Sequence, residues 1–553
     1  MANNIFKKGL NILLRRQTNI LSAAFVIMAT TILSQLLGLV RQRLLVGIFG
    51  ASNTLGVYFA SIRFPDFLFQ LIVAGALASA FIPVFSDFLI KGRNEEAHKM
   101  ASSLLAILLV IFTLFSILLF ILAPLILKLL NLGSGFSPKE MVLMISLTRL
   151  VIFGQEVFII ATFFTALLQS YNHFFIPGIA AAFYNLGIII GIVTLYRIAG
   201  IYAPVYGMFL GALLFTIVQL PLVKSVGFSF KPKFSLKVPG VKEVIRLMWP
   251  RTISLAILQI GTIATVTLVS FLSSAGRNYV IFDYAQTLSF APVALFGQTI
   301  AQAAFPVLSR EREKLEDFKT TFITSFNQML YLVLPISVLI LVLRIPIVRL
   351  IYGTGQFDWQ ATVLTGRALA LLSISTFAQA LIYLIARGFY ALHDTKTPLI
   401  IGTISTVLTL IIGYFFILYF KLGLGSIAVA YSLGSFFNFF ASMIILDKKV
   451  GGFHRKPLFF SVFKIFSACF FAGIALYVPI KLLDKLVFDT TRTVNLLILT
   501  GISCFIGLGI YLFLTWLFNV DEAKTFIFMF KKIGNWRGIL RESGETIEEI
   551  RMT

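Results

Sequence analysis

Two arginines, Arg41 and Arg43, stand in the otherwise apolar stretch SQLLGLVRQRLLVGIFG at residues 34–50. An ionised side chain at the centre of a membrane-spanning helix costs roughly 2.5–3.5 kcal/mol on insertion, so such groups normally face a cavity or a partner. As neighbours i and i+2 the two point to different faces of a helix, and at most one looks squarely into a central cavity. Arg41 has Gly38 one turn earlier, leaving room for close approach, and no acidic neighbour in its own helix. A guanidinium is a planar donor fork suited to phosphate and carboxylate. The chemistry these residues offer is reception of negative charge.

Two further sites follow the same logic. Arg63 and Asp66, in YFASIRFPDFLFQ, flank Pro65 at a spacing that lets them pair on one helical face, either as a structural ion pair beside a kink or as functional groups. Glu156, in FGQEVFII, is either a cation or proton site or the partner of Arg149 two turns earlier. Covalent chemistry has no support: the chain lacks a G-x-x-x-x-G-K-[ST] loop, a G-x-S-x-G elbow and an H-E-x-x-H pair. Its four histidines form no cluster with cysteine or carboxylate, so no metal and no cofactor is expected. Cys469 and Cys504 both fall in late apolar stretches and read as small packing residues, not as a disulfide.

The elements that must hold these groups are membrane helices. Of 553 residues 58% are hydrophobic and 12% charged, and the mean hydropathy is +0.95. A soluble protein of that composition would expose large apolar patches. Apolar stretches of spanning length, about 20 residues, read at 21–48, 56–89, 100–129, 141–168, 176–196, 202–223, 247–273, 282–308, 320–350, 361–388, 399–420, 424–446, 458–480 and 493–518. The expectation is an all-α polytopic membrane protein of about fourteen transmembrane helices. The basic start lacks a small-residue cleavage site and reads as a retained segment.

Net charge is +23, and its distribution explains it without nucleic acid. With the N-terminus placed in the cytoplasm, loops and tails on that side carry about 29 Lys and Arg against about ten on the other. The bias assigns both termini to the cytoplasm. Residues 1–20 and the tail at 519–553 mix basic and apolar positions, as segments lying on an anionic leaflet do.

Two pairs of stretches echo each other. AFIPVFSDF and AAFPVLSRE place Pro83 and Pro306 223 residues apart, and LQSYNHFFIPGI and YALHDTKTPLII place Pro177 and Pro398 221 apart. One six-helix unit used twice in the same orientation gives an N-lobe at 21–223, a basic linker at 224–246 and a C-lobe at 247–446. Paired lobes are the usual frame for alternating access, with the substrate between them. The last two spans, within 458–518, fall outside the repeat.

The stretches SQLLGLVRQRLLVGIFG, RFPDFLFQLIVAGALASAFIPVFSDF, LQSYNHFFIPGIAAAFYNLGII, TIAQAAFPVLSR, RLIYGTGQFD and RGFYALHDTKTPLIIG resemble the MurJ (MviN) family of bacterial lipid II flippases, within the multidrug/oligosaccharidyl-lipid/polysaccharide exporter superfamily. The resemblance implies two parallel six-helix lobes around a cationic cavity and a final helix pair forming a groove for the polyprenyl tail. Arg41 matches the arginine of the family's G-x-x-R pattern. Other family charges are missing: an arginine position is Gln35, the Pro-Asn-Leu-Leu-Arg-Arg run reads Pro65 to Gln70, Glu-Gly reads Ala74-Gly75, and Ala-Asp-Arg reads Tyr284, Ala285 and Gln286. Positions that form a sodium site in some members fall at Thr265, Thr409 and Gly413, with no carboxylate.

The resemblance implies a flippase of the bacterial inner membrane, moving lipid II or a related polyprenyl-pyrophosphate lipid between leaflets without covalent chemistry. Arg41 is the first choice for the pyrophosphate, with Arg43, Arg63, Asp66, Gln35 and Gln286 as further substrate contacts and Glu156 as ion or proton site. Expected partners are membrane lipids and cell-wall synthesis enzymes. Two alternatives stand beside this: an exporter of another polyprenyl-linked oligosaccharide or of a drug-like cation, and a non-transporting scaffold, favoured by the thinned charges.

Overall fold

The computed structural model describes residues 20–74, 77–421, 423–453, 455–486 and 493–524. The basic segment expected at 1–20, but for Ile20, and the tail beyond Lys524 lie outside the described residues. Among the described residues the regular structure is all helix, with no strand. It divides into two compact units. The first is Met1–Asp283 with Ile351–Leu364 and Leu410–Ile427, and the second is Tyr284–Leu350 with Thr365–Thr409 and Ala428–Thr553.

The first unit holds α1 (Ile20–Phe49), α2 (Asn53–Phe69), α3 (Ile82–Ile90), α4 (Asn94–Leu130), α5 (Pro138–Ser170), α6 (Phe175–Ala199), α7 (Ala203–Ser225), α8 (Val241–Val269) and the first half of α9 (Ala275–Pro292). Local rules set their starts. Ser52 caps α2 by accepting from the Leu55 N–H at 3.2 Å. Ser137 and Glu140 form a reciprocal capping box at α5, with Pro138 in its first turn.

Small residues set the packing. A Cβ on Gly187 or Gly191 would fall 2.3 Å from the backbone of Gly211 or Gly207 respectively. The pairing runs oppositely along the two helices, so α6 and α7 are antiparallel and touch backbone to backbone through two G-x-x-x-G faces. In the same way α1 lies on α6: Gly178 meets Thr30, and the Asn185 amide donates to the Ser34 carbonyl at 3.1 Å and to its hydroxyl at 3.2 Å. These contacts fix the face of α1 that carries Gly38 and Arg41.

Past Phe69 the helix changes winding. Gln70–Ala74 and Leu77–Phe81 are π-helical, before α3 resumes with Pro83 in its first turn. In the second unit Val293–Gln298 is also π-helical, between α9 and α10 (Thr299–Arg310). Of these three π segments, Gln70–Ala74 and Val293–Gln298 begin 223 residues apart, the spacing of Pro83 and Pro306. An isolated π turn is rare and usually tied to function, so its recurrence adds a conformational match to the sequence echo.

The second unit continues with α11 (Leu315–Val342), α12 (Arg344–Tyr352), α13 (Trp359–Ser373), α14 (Thr376–Ala391), α15 (Lys396–Tyr419), α16 (Leu424–Lys449), α17 (Arg455–Leu486) and α18 (Thr493–Leu517), some of whose ends belong to the first unit. Its core gathers Phe318, Phe322 and Phe326 of α11 with Leu381, Leu384 and Phe389 of α14. Helices α17 and α18 close on each other where Gly507 meets Leu476, and the Tyr511 hydroxyl donates to the Tyr331 carbonyl of α11 at 2.7 Å. Cys469 is buried in this seam and Cys504 is half-buried, both as free thiols.

Eleven described helical stretches are long and apolar enough to cross a bilayer, or twelve with the bent α13–α14 pair. Two of the fourteen expected spans are not among these twelve. Phe175–Ser225 counts once although its turn Gly200–Tyr202 joins the antiparallel pair α6 and α7, and α8 counts only as the apolar helix Gln259–Val269, the side chains of residues 249–258 lying outside those described.

Candidate functional site

The polar residues of the first unit gather on α1, α2, α6 and α9. Arg41 is half-buried and has no hydrogen bond or ion pair among the described residues. Its charge acts on the hydroxyls of Tyr58 and Tyr184. Tyr58 is buried against Met208, its hydroxyl 3.8 Å from the sulfur, and the Tyr184 ring packs 4.7 Å from that of Phe158. Arg41 thus lies within electrostatic range of two tyrosines and forms no ion pair among the described residues.

Arg63 is in a different position. Its guanidinium forms an ion pair with Asp283 and donates through Nε to the Tyr279 hydroxyl at 2.5 Å. The pairing expected from the sequence, Arg63 with Asp66, is replaced by one 220 residues away. Asp66 instead bonds to Gln70 one turn on, and remains near enough to act electrostatically on Arg63 and Tyr184. The physical reason is directional: Gln70 opens the π turn that follows Asp66, while Tyr279 and Asp283, one turn apart on α9, offer Arg63 two acceptors at once.

The other candidates lie apart from this cluster. Arg43 is exposed and donates to the Ile351 carbonyl at 3.4 Å, beside a Tyr352-to-Gln42 bond at 3.3 Å. Gln35 is exposed on α1. Gln286, in the second unit, bonds to Tyr431. Glu156 bonds to Thr113 of α4, and its Oε1 is buried without a partner. Arg149 is not its counter-ion, because that guanidinium donates to the Phe120 carbonyl at 3.0 Å and lies over the Phe120 ring. Thr265 and Thr409 spend their hydroxyls on their own helices' carbonyls, at 3.0 and 2.8 Å. Among the described residues no group of three His, Cys, Asp or Glu could hold a metal.

Tyr58, Tyr184, Tyr279 and Asp283 were missed from the sequence. Asp283 carried a usable signal, a carboxylate inside an apolar span. The tyrosines carried none, since an aromatic in a membrane helix is ordinary.

The end of the unit where α1 passes into α2 is sealed by backbone. The Gln356 N–H donates to the Gly47 carbonyl at 3.0 Å, and the Arg277 N–H to the Asn53 side chain at 2.8 Å. The Arg277 guanidinium bridges Asp358 at 3.0 and 3.2 Å. Gly56 and Gly276 are so close that a Cβ on Gly56 would lie 1.9 Å from the Gly276 carbonyl oxygen. A guanidinium without a partner stands on α1, the helix whose far end forms part of this seal.

This arrangement of helices has counterparts among solved structures. A solved structure described as an inward-facing conformation of a multidrug resistance MATE family transporter of the MOP superfamily matches with a TM-score of 0.63 over 77% of this chain and 98% of that one, at 14% identity. The two share a fold. The family model for lipid II flippase MurJ matches residues 45–495, and the chain belongs to that family. A structure of lipid II flippase MurJ in an inward closed conformation matches with a TM-score of 0.72 at 25% identity, over 90% of this chain and 99% of that one. Among curated relatives, a lipid II flippase MurJ described as probable from Vibrio cholerae is 28% identical over 436 residues, covering 76% of this chain and 81% of its own. Another so described, from Thermotoga maritima, is 27% identical over 441 residues, covering 78% and 85%. The family is one of transporters, and this chain is a multi-pass membrane protein of it.

Proposed function

We propose that this protein is a lipid II flippase, carrying the undecaprenyl-pyrophosphate-linked peptidoglycan precursor from the cytoplasmic to the outer leaflet of the bacterial inner membrane by alternating access. The observation that carries the reading is Arg41, a half-buried guanidinium in α1 with no described counter-ion. A pyrophosphate is the ligand that such a group lacks, and charge-assisted, bidentate contacts are the strongest a guanidinium makes. With both termini in the cytoplasm, the end where α1 passes into α2 is the one that faces outward. The pair α17–α18 carries the prenyl tail along its apolar surface. The protein moves its substrate without covalent chemistry, and Glu156, with its unpartnered oxygen, is the group that couples transport to a proton or cation.

A second reading has one observation in its favour. Arg63 is neutralised by Asp283, so the cationic excess around Arg41 is small. A polyprenyl lipid with a less charged linkage fits that field. The deciding experiment is binding of lipid II, undecaprenyl phosphate and a neutral lipid to purified wild type and Arg41→Ala. Lipid II binding that exceeds the others about tenfold and is lost in Arg41→Ala supports the first reading. Equal binding of all three removes both and leaves a non-transporting scaffold for cell-wall enzymes.

A further inference from the structure

The chain leading from α7 to α8 is not a free loop. Its Phe228 is buried against the His98, Phe163 and Phe164 rings, the Ser103 hydroxyl donates to the Ser235 carbonyl at 2.8 Å, and the Lys231 N–H reaches the Ser102 hydroxyl at 3.4 Å. Gly240, at φ +85°, then turns tightly against Phe88 and Met100, where a Cβ would sit 2.5 Å from the Met100 sulfur. Residues 229–239 therefore form a strap pinned across the first turns of α4.

Under this strap lies a cavity of about 250 Å³ lined by Glu96 and Lys99 of α4 and by Lys233, Ser235, Lys237 and Pro239. The Glu96 carboxylate is engaged by Arg93, and Lys99 pairs with Glu95 only at 3.4 Å. Lys233 and Lys237 have no acidic partner among the described residues. The cavity is cationic, and its serine adds a hydroxyl. Beside these lysines the strap exposes Phe230, Phe234 and Leu236, at 41%, 62% and 48%. Aromatic and lysine residues in alternation mark the bilayer interface. Depth agrees: the apolar stretch of α4 that opens with Leu104–Phe112 starts one residue past the Ser103 that holds the strap. The strap thus lies where hydrocarbon gives way to headgroups.

We infer that the strap and the first turns of α4 form a binding site for the phosphate headgroup of an acidic phospholipid, with Lys233 and Lys237 on the phosphate and Phe234 and Leu236 in the acyl boundary. The exposed apolar residues select the source, because a soluble phosphate would gain nothing from them. The site is separate from Arg41 and does not depend on the identity of the transported lipid.

The test uses the full-length protein, delipidated in mild detergent, with lipid adducts counted by native mass spectrometry. Short-chain phosphatidylglycerol is compared with the matching phosphatidylcholine, and glycerol 3-phosphate serves as the free headgroup. The expected result is about a tenfold preference for phosphatidylglycerol, lost in K233Q/K237Q, weakened in Phe234→Ser and kept in Arg41→Gln. Both lysines are exposed, so the melting temperature without lipid stays unchanged. A preference that survives K233Q/K237Q overturns the site, and glycerol 3-phosphate displacing the lipid at equal concentration overturns the choice of a lipid.

Discussion

Arg63 of α2 pairs with Asp283 of α9 and not with Asp66 on its own helix, so the second cation near the proposed pyrophosphate site is held by a counter-ion from elsewhere in the chain. The arrangement leaves Arg41 as the open cation and Arg63 as a conditional one, available when an anion competes with Asp283. Removing that competitor separates the two roles. Asp283→Asn is expected to tighten binding of a pyrophosphate lipid several-fold while lowering stability by about 1–3 kcal/mol, because a partly buried guanidinium loses its charge partner. Arg63→Ala is expected to weaken binding and also to destabilise. Lipid titration with melting curves on both variants checks this, and weaker binding in Asp283→Asn would show that the pair is purely structural.

Glu156 is expected to act in transport and not in binding. Its Oε1 is buried without a partner and its one described bond is to Thr113. Glu156→Gln keeps the shape and removes the titrating proton. Lipid II affinity should stay within about twofold of wild type while flipping in proteoliposomes under an imposed proton or sodium gradient falls about tenfold or more. Unchanged flipping under every gradient would discard Glu156 as the coupling group.

How far the sequence disclosed this site depended on distance along the chain. Arg41 was legible as a candidate because a charge within an apolar run has a cost that demands an explanation, and the echo of Pro83 in Pro306 was legible as two like stretches of sequence. The π turns that begin with the same spacing had no residue signature. Arg63's true counter-ion was hidden for a different reason: helical periodicity reports neighbours three and four residues away, and Asp66 fits that rule. The contact with Asp283 arises from how α2 and α9 pack, which no local pattern encodes. Glu156 shows the converse, since Arg149 lay at a plausible spacing and yet turned to the Phe120 carbonyl.

Asp394 ties the α14–α15 turn, in the stretch YALHDTKTPLII, to α16, and its pH response follows. Burial opposes its charge, but the Lys449 ammonium at 2.5 Å and the Thr397 N–H and hydroxyl at 3.0 and 2.7 Å outweigh that and hold its pKa down at about 2, from 3.8. A carboxyl depressed on folding contributes stability that is fully present above its unfolded value and is lost as pH falls through the folded one. Asp394→Asn should therefore cost about 1–2 kcal/mol at pH 7, with the difference from wild type shrinking between about pH 4 and pH 2. Glu522, just past α18, has the opposite sign. Burial raises its pKa, so Glu522→Gln should stabilise at neutral pH and match wild type in acid. Melting curves across pH on the detergent-solubilised protein test both, and a pH-independent Asp394→Asn deficit would mean that its contribution is not ionic.

The glycine pair at the sealed end offers the most direct control of conformation. Gly56 and Gly276 meet through bare backbone, with the Gly56 Cβ position only 1.9 Å from the Gly276 carbonyl oxygen. Nothing at that distance is a flexible side-chain tip, so a methyl group can be accommodated only if the two segments separate. Helix propensity does not oppose the change, because alanine favours a helix over glycine by about 1 kcal/mol. The cost falls solely on the closed state, and overpacking of this kind is worth about 1–3 kcal/mol. Gly56→Ala is therefore expected to shift the protein towards the state open at this end. An engineered cysteine at Asn53, beside Arg277, should then react faster with a membrane-impermeant maleimide applied from outside, by about tenfold or more. Lipid II flipping should fall in parallel while the protein still folds. Arg277→Gln, which removes the bridge to Asp358 but adds no bulk, should give the same direction with a smaller effect. If Gly56→Ala leaves both labelling and flipping at wild-type values, the contact is static packing and the gate lies elsewhere.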